Sequence, residues 1–169
     1  MEHRTLVRDL MAVGVRTCQP TTSIVDIAGW LLEQDLEGVV VINAEGHAIG
    51  VVDREALIKA YSQEDRHELT AENIMRDDVP QIPPEIPLTA AAQIMRDLKS
   101  RLVFLMHHAD GITYPAAYLS YQHLLRHLAA RDNDELSDLG IKASRQAPLD
   151  AFIQRRDAAR RRLSSVDED

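Results

Sequence analysis

The sequence predicts an α/β (α+β) protein made of two β-α-β-β-α repeats that pack together by their sheets, followed by a helical C-terminal extension. Three observations predict this fold: a hairpin leading into a helix, a second copy of the same pattern 64 residues later, and an apolar fraction of 45% that can fill a core. The repeats span residues 1–65 and 66–130, and residues 131–169 form a linker and a helical tail.

The hairpin is predicted from two β-branched apolar runs. Residues 39–42 form the first run, and the second ends at Asp53; a polar, Gly-containing break separates them. The first run does not alternate with polar residues, so both of its faces should be covered. Apolar residues at helical spacing follow Asp53, a good N-cap residue, so a strand leads directly into a helix N-terminus. Anions bind at such ends, and this suggests a ligand position.

The internal repeat is visible as a fixed offset. A shift of 64 relates Met11 to Met75 and Pro20 to Pro84, with no gap from the helical lead-in through the first long helix. The following strand matches at a shift of 63 and the last strand and helix at a shift of 67. Two ordered copies favour one supersecondary unit used twice.

Each repeat alone leaves its central strands half covered, so two repeats should bury them together. The predicted shared core consists of Val40, Ile42, Val51, Val103, Leu105 and Leu119.

Composition limits the functional classes. The net charge of −8 and the pI near 5.3 argue against a nucleic-acid-binding body, which usually has a basic face. One cysteine, Cys18, excludes an internal disulfide and fits a reducing compartment. The sequence has no apolar run of signal-peptide or membrane-span type. A cytoplasmic location without membrane association is therefore expected.

The ordered pieces resemble the cystathionine-β-synthase-type (CBS) domain, present twice as in a Bateman module. In the first copy they are residues 9–11, 15–17, 20–24, 36–42, 46 and 50–52, and in the second 73–75, 84, 88 and 102–105. The resemblance implies a regulatory module that dimerises through its helices. It also implies that an adenosyl ligand (AMP, ADP, ATP or S-adenosylmethionine) binds in a cleft between the repeats, with no cofactor required.

The ligand motif of the family has a Gly, two apolar residues, Thr or Ser, two variable residues and Asp. At these positions the first copy has Asp53 for the hydroxyl and Ala56 for the Asp, and the second has Ser120 and His123. An acidic Asp53 would repel phosphate unless a cation bridges the two. The second copy is the better candidate, because a histidine can donate to a ribose hydroxyl.

The resemblance gives a set of candidate ligand-binding residues in the strands and at the helix N-termini. Each also has a purely structural interpretation, in a strand or as a cap. The set is Thr17, Cys18, Gly38, Val39, Asp53, Gln81, Ile82, Arg101, Leu102, Ser120 and His123.

No metal site and no enzymatic activity are predicted. His107, His108 and Asp110 are of metal-ligand type, but no third His or Cys has ligand spacing, and a solvated loop is the favoured interpretation. Cys18 has no motif around it and is expected to be buried or inert. Nucleophile–base pairs, paired carboxylates and a phosphate-binding Gly loop do not stand out.

The tail carries a second pattern. Within residues 148–163, apolar residues fall roughly on one side of a helix beside a cluster of arginines. Docking of this helix on the module, its dimer mate or a partner protein is favoured over a nucleic-acid or acidic-partner contact.

We therefore expect a homodimeric ligand-sensing module that alters a regulated partner through its helices or tail. The alternative is a ligand-free module for dimerisation and protein docking.

Overall fold

The computed structural model describes residues 5–131 of the chain. The first half contains α1 (Val7–Leu10), β1 (Ala12–Val13), β2 (Thr17–Cys18), α2 (Ile24–Glu33), β3 (Gly38–Ile42), β4 (Ala48–Asp53) and α3 (Arg54–Tyr61). After a short 3-10 helix (Arg66–Glu68), the second half contains α4 (Ala71–Ile74), α5 (Leu88–Asp97), β5 (Leu102–Ala109), β6 (Ile112–Ser120) and α6 (Tyr121–Ala129). The predicted mixed α/β fold with two repeats is confirmed.

The strands form two three-stranded sheets, one for each repeat. Their orders are β2-β3-β4 and β1-β6-β5. In each sheet two neighbouring strands form an antiparallel hairpin, β3 with β4 in the first and β5 with β6 in the second. Each hairpin ends where its last strand runs directly into a helix, as the sequence predicts.

The lead-in segments are exchanged between the repeats. Strand β1 lies near the start of the first repeat but pairs with β6 of the second, and α1 buries Val7 and Leu10 in the core formed with α5. In the opposite direction, Arg76 follows α4 and exchanges two backbone hydrogen bonds with Val51 of β4, at 2.9 and 3.0 Å. Met11 and Met75 therefore have equivalent surroundings, each against the core of the other repeat.

The two sheets pack face to face through a shared core. Val40 and Val51 of the first sheet contact Leu102 and Phe104 of the second, and all four are buried. Every residue of β3 from Gly38 to Val41 is also buried, because α2 and α3 cover its other face. The prediction that this strand is covered on both sides is confirmed.

The predicted register of the second repeat is wrong by one residue. Gly38 pairs with Asp53 at the end of the first hairpin, and Leu102 pairs with Ser120 at the end of the second. Leu102 is therefore the counterpart of Gly38, which gives a shift of 64 here too and makes Phe104 the counterpart of Val40. The three extra residues lie in the longer second hairpin.

A one-residue slip exchanges the two faces of a strand, so the predicted shared core is only partly correct. Val40, Val51 and Ile42 belong to it. Val103 and Leu119 face the helical core with α1 and α5, and Leu105 is only half-buried.

The second hairpin extends through residues that were expected to form a loop. His107 and His108 lie in β5, and the turn consists of Asp110 and Gly111, both with positive φ (51° and 79°). Two positive φ angles are the signature of the type I′ turn, whose twist matches that of the strands. The expected solvated loop at the two histidines is therefore a strand.

The predicted helical tail lies outside the described residues. Within residues 5–131, no helix is both long enough and apolar enough to cross a membrane.

Candidate ligand site between the repeats

Several of the candidate residues lie where the two hairpins end. Gly38 pairs with Asp53, and Leu102 pairs with Ser120, directly before the N-termini of α3 and α6. The two repeats touch at the same point, since a Cβ added to Gly38 would lie 3.0 Å from Leu102 Cδ2. The residues just before β3 and β5 also have equivalent roles. The Glu37 carbonyl accepts a hydrogen bond from the Arg54 N–H, and the Arg101 carbonyl accepts one from the Tyr121 N–H.

In the first copy, the helix N-terminus is already occupied by a side chain. Asp53 Oδ1 accepts a hydrogen bond from the Ala56 N–H at 2.8 Å, which confirms Asp53 as the N-cap of α3. The carboxylate therefore fills the position that would attract an anion. A phosphate brought to this end would meet a like charge, and the first copy is poorly suited to hold one.

In the second copy, Ser120 and His123 form a capping box at the N-terminus of α6. Ser120 Oγ accepts from the His123 N–H at 3.4 Å, and the Ser120 N–H donates to His123 Nδ1 at 3.0 Å. The histidine thus takes the part usually played by Glu or Gln in this motif. Because a neutral ring replaces the carboxylate, the cap itself carries no negative charge, but the Asp35 carboxylate accepts a hydrogen bond from Gln122 Nε2 in the first turn of α6.

The charge state of His123 follows from its packing. Burial, reinforced by the nearby Arg126 guanidinium, lowers the pKa of His123 from 6.5 to about 4. Its ring packs beside Tyr118, with the ring centroids 5.3 Å apart. Since Nδ1 accepts a backbone hydrogen bond, the proton of the neutral ring is on Nε2. Nε2–H has no protein partner among the described residues and is not completely enclosed, so it is available as a donor.

We expect acid to destabilise the fold through His123. Between pH 6.5 and about 4, the unfolded chain binds a proton at this histidine that the folded chain does not bind. The contribution of His123 to the free energy of unfolding is therefore fully present above pH 6.5 and is lost as the pH falls toward 4. With allowance for partial solvent exposure, the loss of unfolding free energy between pH 7 and pH 5 should be about 1–2 kcal/mol.

Urea unfolding at the two pH values measures this loss. His123→Gln keeps a hydrogen-bond acceptor at the cap without a titrating group, and should reduce the pH dependence by the same amount. His127→Gln, on the same helix, is the control that should leave the dependence unchanged. An equal slope in wild type and His123→Gln would contradict the assignment.

The remaining candidates are mostly core residues. Thr17 and Cys18 lie beside Val40 and Val41 in parallel pairing, and Gln81 lies beside Phe104 in the same way. The side chains that are buried in the cores can offer a ligand only their backbone groups. They are Cys18, Val39, Ile82 and Leu102, whereas Gln81 and Arg101 are exposed and Thr17 is half-buried.

Cys18 fits the expectation of an inert residue. Burial raises the pKa of its thiol to about 11, against the weaker opposing effects of Thr22 and Arg16. At neutral pH the group is therefore a thiol and a poor nucleophile. Among the described residues, no cluster of three or more His, Cys, Asp or Glu side chains could hold a metal ion.

Sequence reasoning missed a polar contact that joins the two helix N-termini. Asp35, in the loop after α2, accepts from Gln122 Nε2 of α6 at 2.8 Å and lies 3.4 Å from Arg54 Nη2 of α3. Its backbone has a positive φ of 50°, a conformation that Asp tolerates better than most residues. The only signal in the sequence is an Asp just beyond a helix, which by itself predicts no more than a helix end.

Pseudo-symmetric repeats, lead-in segments exchanged between them and helix N-termini meeting at one point define a tandem-repeat α/β module. The sequence model of the CBS domain matches residues 7–63 and again residues 71–130. The chain belongs to the CBS domain family, as a tandem pair.

Solved structures with this fold include several CBS proteins. The CBS-domain containing protein ATU1752 from Agrobacterium tumefaciens has a TM-score of 0.64 and 23% identity, with 73% of this chain and 93% of that chain covered. The CBS domain pair of MJ0100, in complex with 5′-methylthioadenosine and S-adenosyl-L-methionine, has a TM-score of 0.63 and 20% identity, with coverages of 73% and 95%. CBSX2 in complex with AMP has a TM-score of 0.58 and 21% identity, with coverages of 73% and 95%. No curated protein matches the sequence.

Proposed function

We propose that this protein is a regulatory module that binds an adenosyl nucleotide in the cleft between its repeats, at the N-terminus of α6, and transmits the binding to a partner. The observation that carries the proposal is the geometry of His123, a neutral histidine with an available Nε2–H at the family's ligand position. Family membership adds support, because two proteins of the same fold are described in complex with adenosyl compounds.

The chemistry of the cleft favours an adenosyl group at the second copy over the first. Nε2–H of His123 would donate to a ribose hydroxyl, and the exposed Arg101 and Gln81 would supply polar contacts nearby. A phosphate or carboxylate at the α6 N-terminus would meet no capping carboxylate, and the Asp35 carboxylate beside Gln122 is paired with Arg54. In the first copy, the Asp53 carboxylate opposes the same ligand.

Binding regulates a partner only if the ligand prefers one arrangement of the repeats over another. The Asp35–Gln122 contact changes with any rotation of α6 against the first repeat, because it bridges the two repeats directly. Ligand entry beside Gln122 would thus alter how the repeats sit together, and this is the route by which we propose that the signal leaves the cleft.

A thermal-shift titration tests the proposal. At about 100 times its dissociation constant, a bound ligand adds about 2.7 kcal/mol, or roughly 5–10 °C in Tm for a chain of this size. AMP, ADP, ATP, S-adenosylmethionine and NAD should be titrated to millimolar concentration with and without Mg²⁺. We expect saturable stabilisation by at least one of them.

A pair of variants locates the site. His123→Ala should weaken the ligand that binds, when each titration is referred to the Tm of the same variant without ligand. His127→Ala, one turn further along α6, should bind as the wild type does. Unchanged affinity in His123→Ala would show that the ligand does not bind at the α6 N-terminus. If none of the compounds shifts the Tm, the proposal of nucleotide sensing is wrong.

The second candidate function is a ligand-free module for homodimerisation and protein docking. Specific observations favour it: Ala56 and His123 replace the ribose-binding Asp of the family, and α6 exposes Leu125 and Leu128, the latter with 80% of its surface accessible. Exposed apolar side chains on one helix mark an interaction surface. We propose a homodimer through this helix, and sedimentation velocity of the full chain measures it.

A further inference from the structure

The hairpin of β5 and β6 has one edge that the rest of the chain does not cover. On the outer side of β5, the backbone of Phe104 bonds to the 80–82 segment, at 2.8 and 2.9 Å. Because neighbouring residues of a strand bond to opposite sides, Met106 and His108 also direct their N–H and C=O groups to this outer side. Among the described residues, the backbone of β5 beyond Phe104 pairs with β6 alone. Residues 105–109 therefore form a free edge.

The opposite edge of the same hairpin is protected. The Thr113 N–H of β6 donates to Nδ1 of His47, which lies between β3 and β4, at 3.4 Å. Pro115 has no N–H, and β1 pairs with β6 at the next residues. Covering segments, prolines and lysines are the usual protection of a sheet edge against pairing with another chain. By contrast, β5 contains no Lys, Arg or Pro, so its free edge is open to pairing.

Charge does not oppose a second copy of the chain at this edge. From residue 102 to residue 115 the only formally charged side chain is that of Asp110, in the turn, although the whole chain has a net charge of −8. In an antiparallel pair the two turns lie at opposite ends, so the two Asp110 carboxylates would be about 20 Å apart and screened from each other by salt. A second copy therefore meets no like charge along the strand.

We propose that the free edges of two copies pair antiparallel about a twofold axis at His107, which joins their three-stranded sheets into one continuous sheet. Met106 of each copy would lie opposite the partner's His108, and each of these pairs would exchange two backbone hydrogen bonds. His107 would lie opposite the partner's His107, in the position without hydrogen bonds. This pairing depends neither on nucleotide binding nor on an interface through α6.

The length of the free edge fits a second copy of itself. With the axis at His107, Leu105 lies opposite the partner's Ala109, so the pairing covers residues 105–109 completely. Beyond Ala109 the partner strand enters its turn, just where the 80–82 segment begins to occupy the edge. The partner strand therefore ends before it would need the position beside Phe104.

The side chains beside the axis are also complementary to their own copies. His107 packs beside Tyr114 across the hairpin, with the ring centroids 5.4 Å apart, and both side chains are exposed. The pairing would place the two His107–Tyr114 ring pairs in one row, and cross-strand ring contacts stabilise a sheet. An extended segment of another protein would gain the backbone hydrogen bonds without this row, so a second copy is favoured.

Disulfide trapping in the full chain tests the pairing and its register. His107→Cys places a cysteine on the axis, where the two Cα atoms would be about 4.5 Å apart, within the range of a disulfide. His108→Cys is the matched control, because it is exposed on the same strand but its two copies would be about 8 Å apart, which is too far. The native Cys18 is buried and should not compete.

Under mild oxidation at micromolar protein, we expect His107→Cys to form a covalent dimer about ten times faster, or more, than His108→Cys. Adding His108→Pro to His107→Cys should reduce the rate to that of the control, because proline removes an outward N–H that makes no bond to β6. Mass and mobility on a non-reducing gel measure the product.

Equal rates for the two cysteine variants would overturn the proposal. The absence of a covalent dimer in both would also overturn it, and would leave the free edge to a strand of another protein. An unchanged rate after His108→Pro would contradict a contact through the β5 backbone.

Discussion

Phe104→Ala should lower the free energy of unfolding by about 3–5 kcal/mol, the range for removing a fully buried aromatic side chain. Phe104 is 1% exposed and sits in the core shared by the two sheets, against Val40 and Val51 of the other repeat. Its loss removes apolar burial and leaves a cavity that only movement of one sheet toward the other could fill. The expected loss is a large share of the 5–15 kcal/mol typical of a whole domain.

Leu105→Ala is the matched control for this effect. It removes a comparable apolar group from the next residue of β5, but Leu105 is only half-buried and belongs to none of the cores. The expected loss is about 1 kcal/mol. Chemical denaturation of both variants gives the comparison, and a larger loss for Leu105→Ala would reverse the register assigned to β5.

Gly50→Ala should destabilise the protein by about 2–3 kcal/mol, because no space exists for a methyl group. A Cβ at Gly50 would press on the backbone carbonyl of Arg76 and come within 2.8 Å of Met75 Sδ. The Arg76 backbone is fixed by its two hydrogen bonds to Val51, so it cannot withdraw without breaking them. The glycine in the ligand motif of the first copy is therefore needed for the exchanged lead-in, whether or not a ligand binds.

Gly29→Ala is the control in the same experiment, and it should raise the free energy of unfolding. Gly29 lies inside α2, and a Cβ there would meet nothing within 4 Å. Alanine in a helix interior is favoured over glycine, so a gain of about 0.5–1 kcal/mol is expected. Destabilisation by both substitutions to the same extent would show that the lead-in contact is not what excludes a side chain at Gly50.

Much of the candidate site could be predicted, because caps and strands are local features. Asp53 caps α3 and Ser120 caps α6, as their positions at the ends of apolar runs predict. The use of His123 as a capping-box acceptor was not predicted, because Glu or Gln usually fills this position. Asp35, Gln122 and Arg54 come from three separate elements, and no sequence pattern joins them.

The sequence alone determined that the same unit occurs twice and that each copy contains a hairpin followed by a helix. These conclusions depend on apolar periodicity and cap residues, which act over a few neighbouring residues. Only the tertiary structure decided which faces of β5 and β6 meet the other repeat, because one residue of offset exchanges the faces and the longer second hairpin hides that offset. It also decided that each lead-in packs on the other repeat, since such pairings form between distant segments and leave no mark in either one.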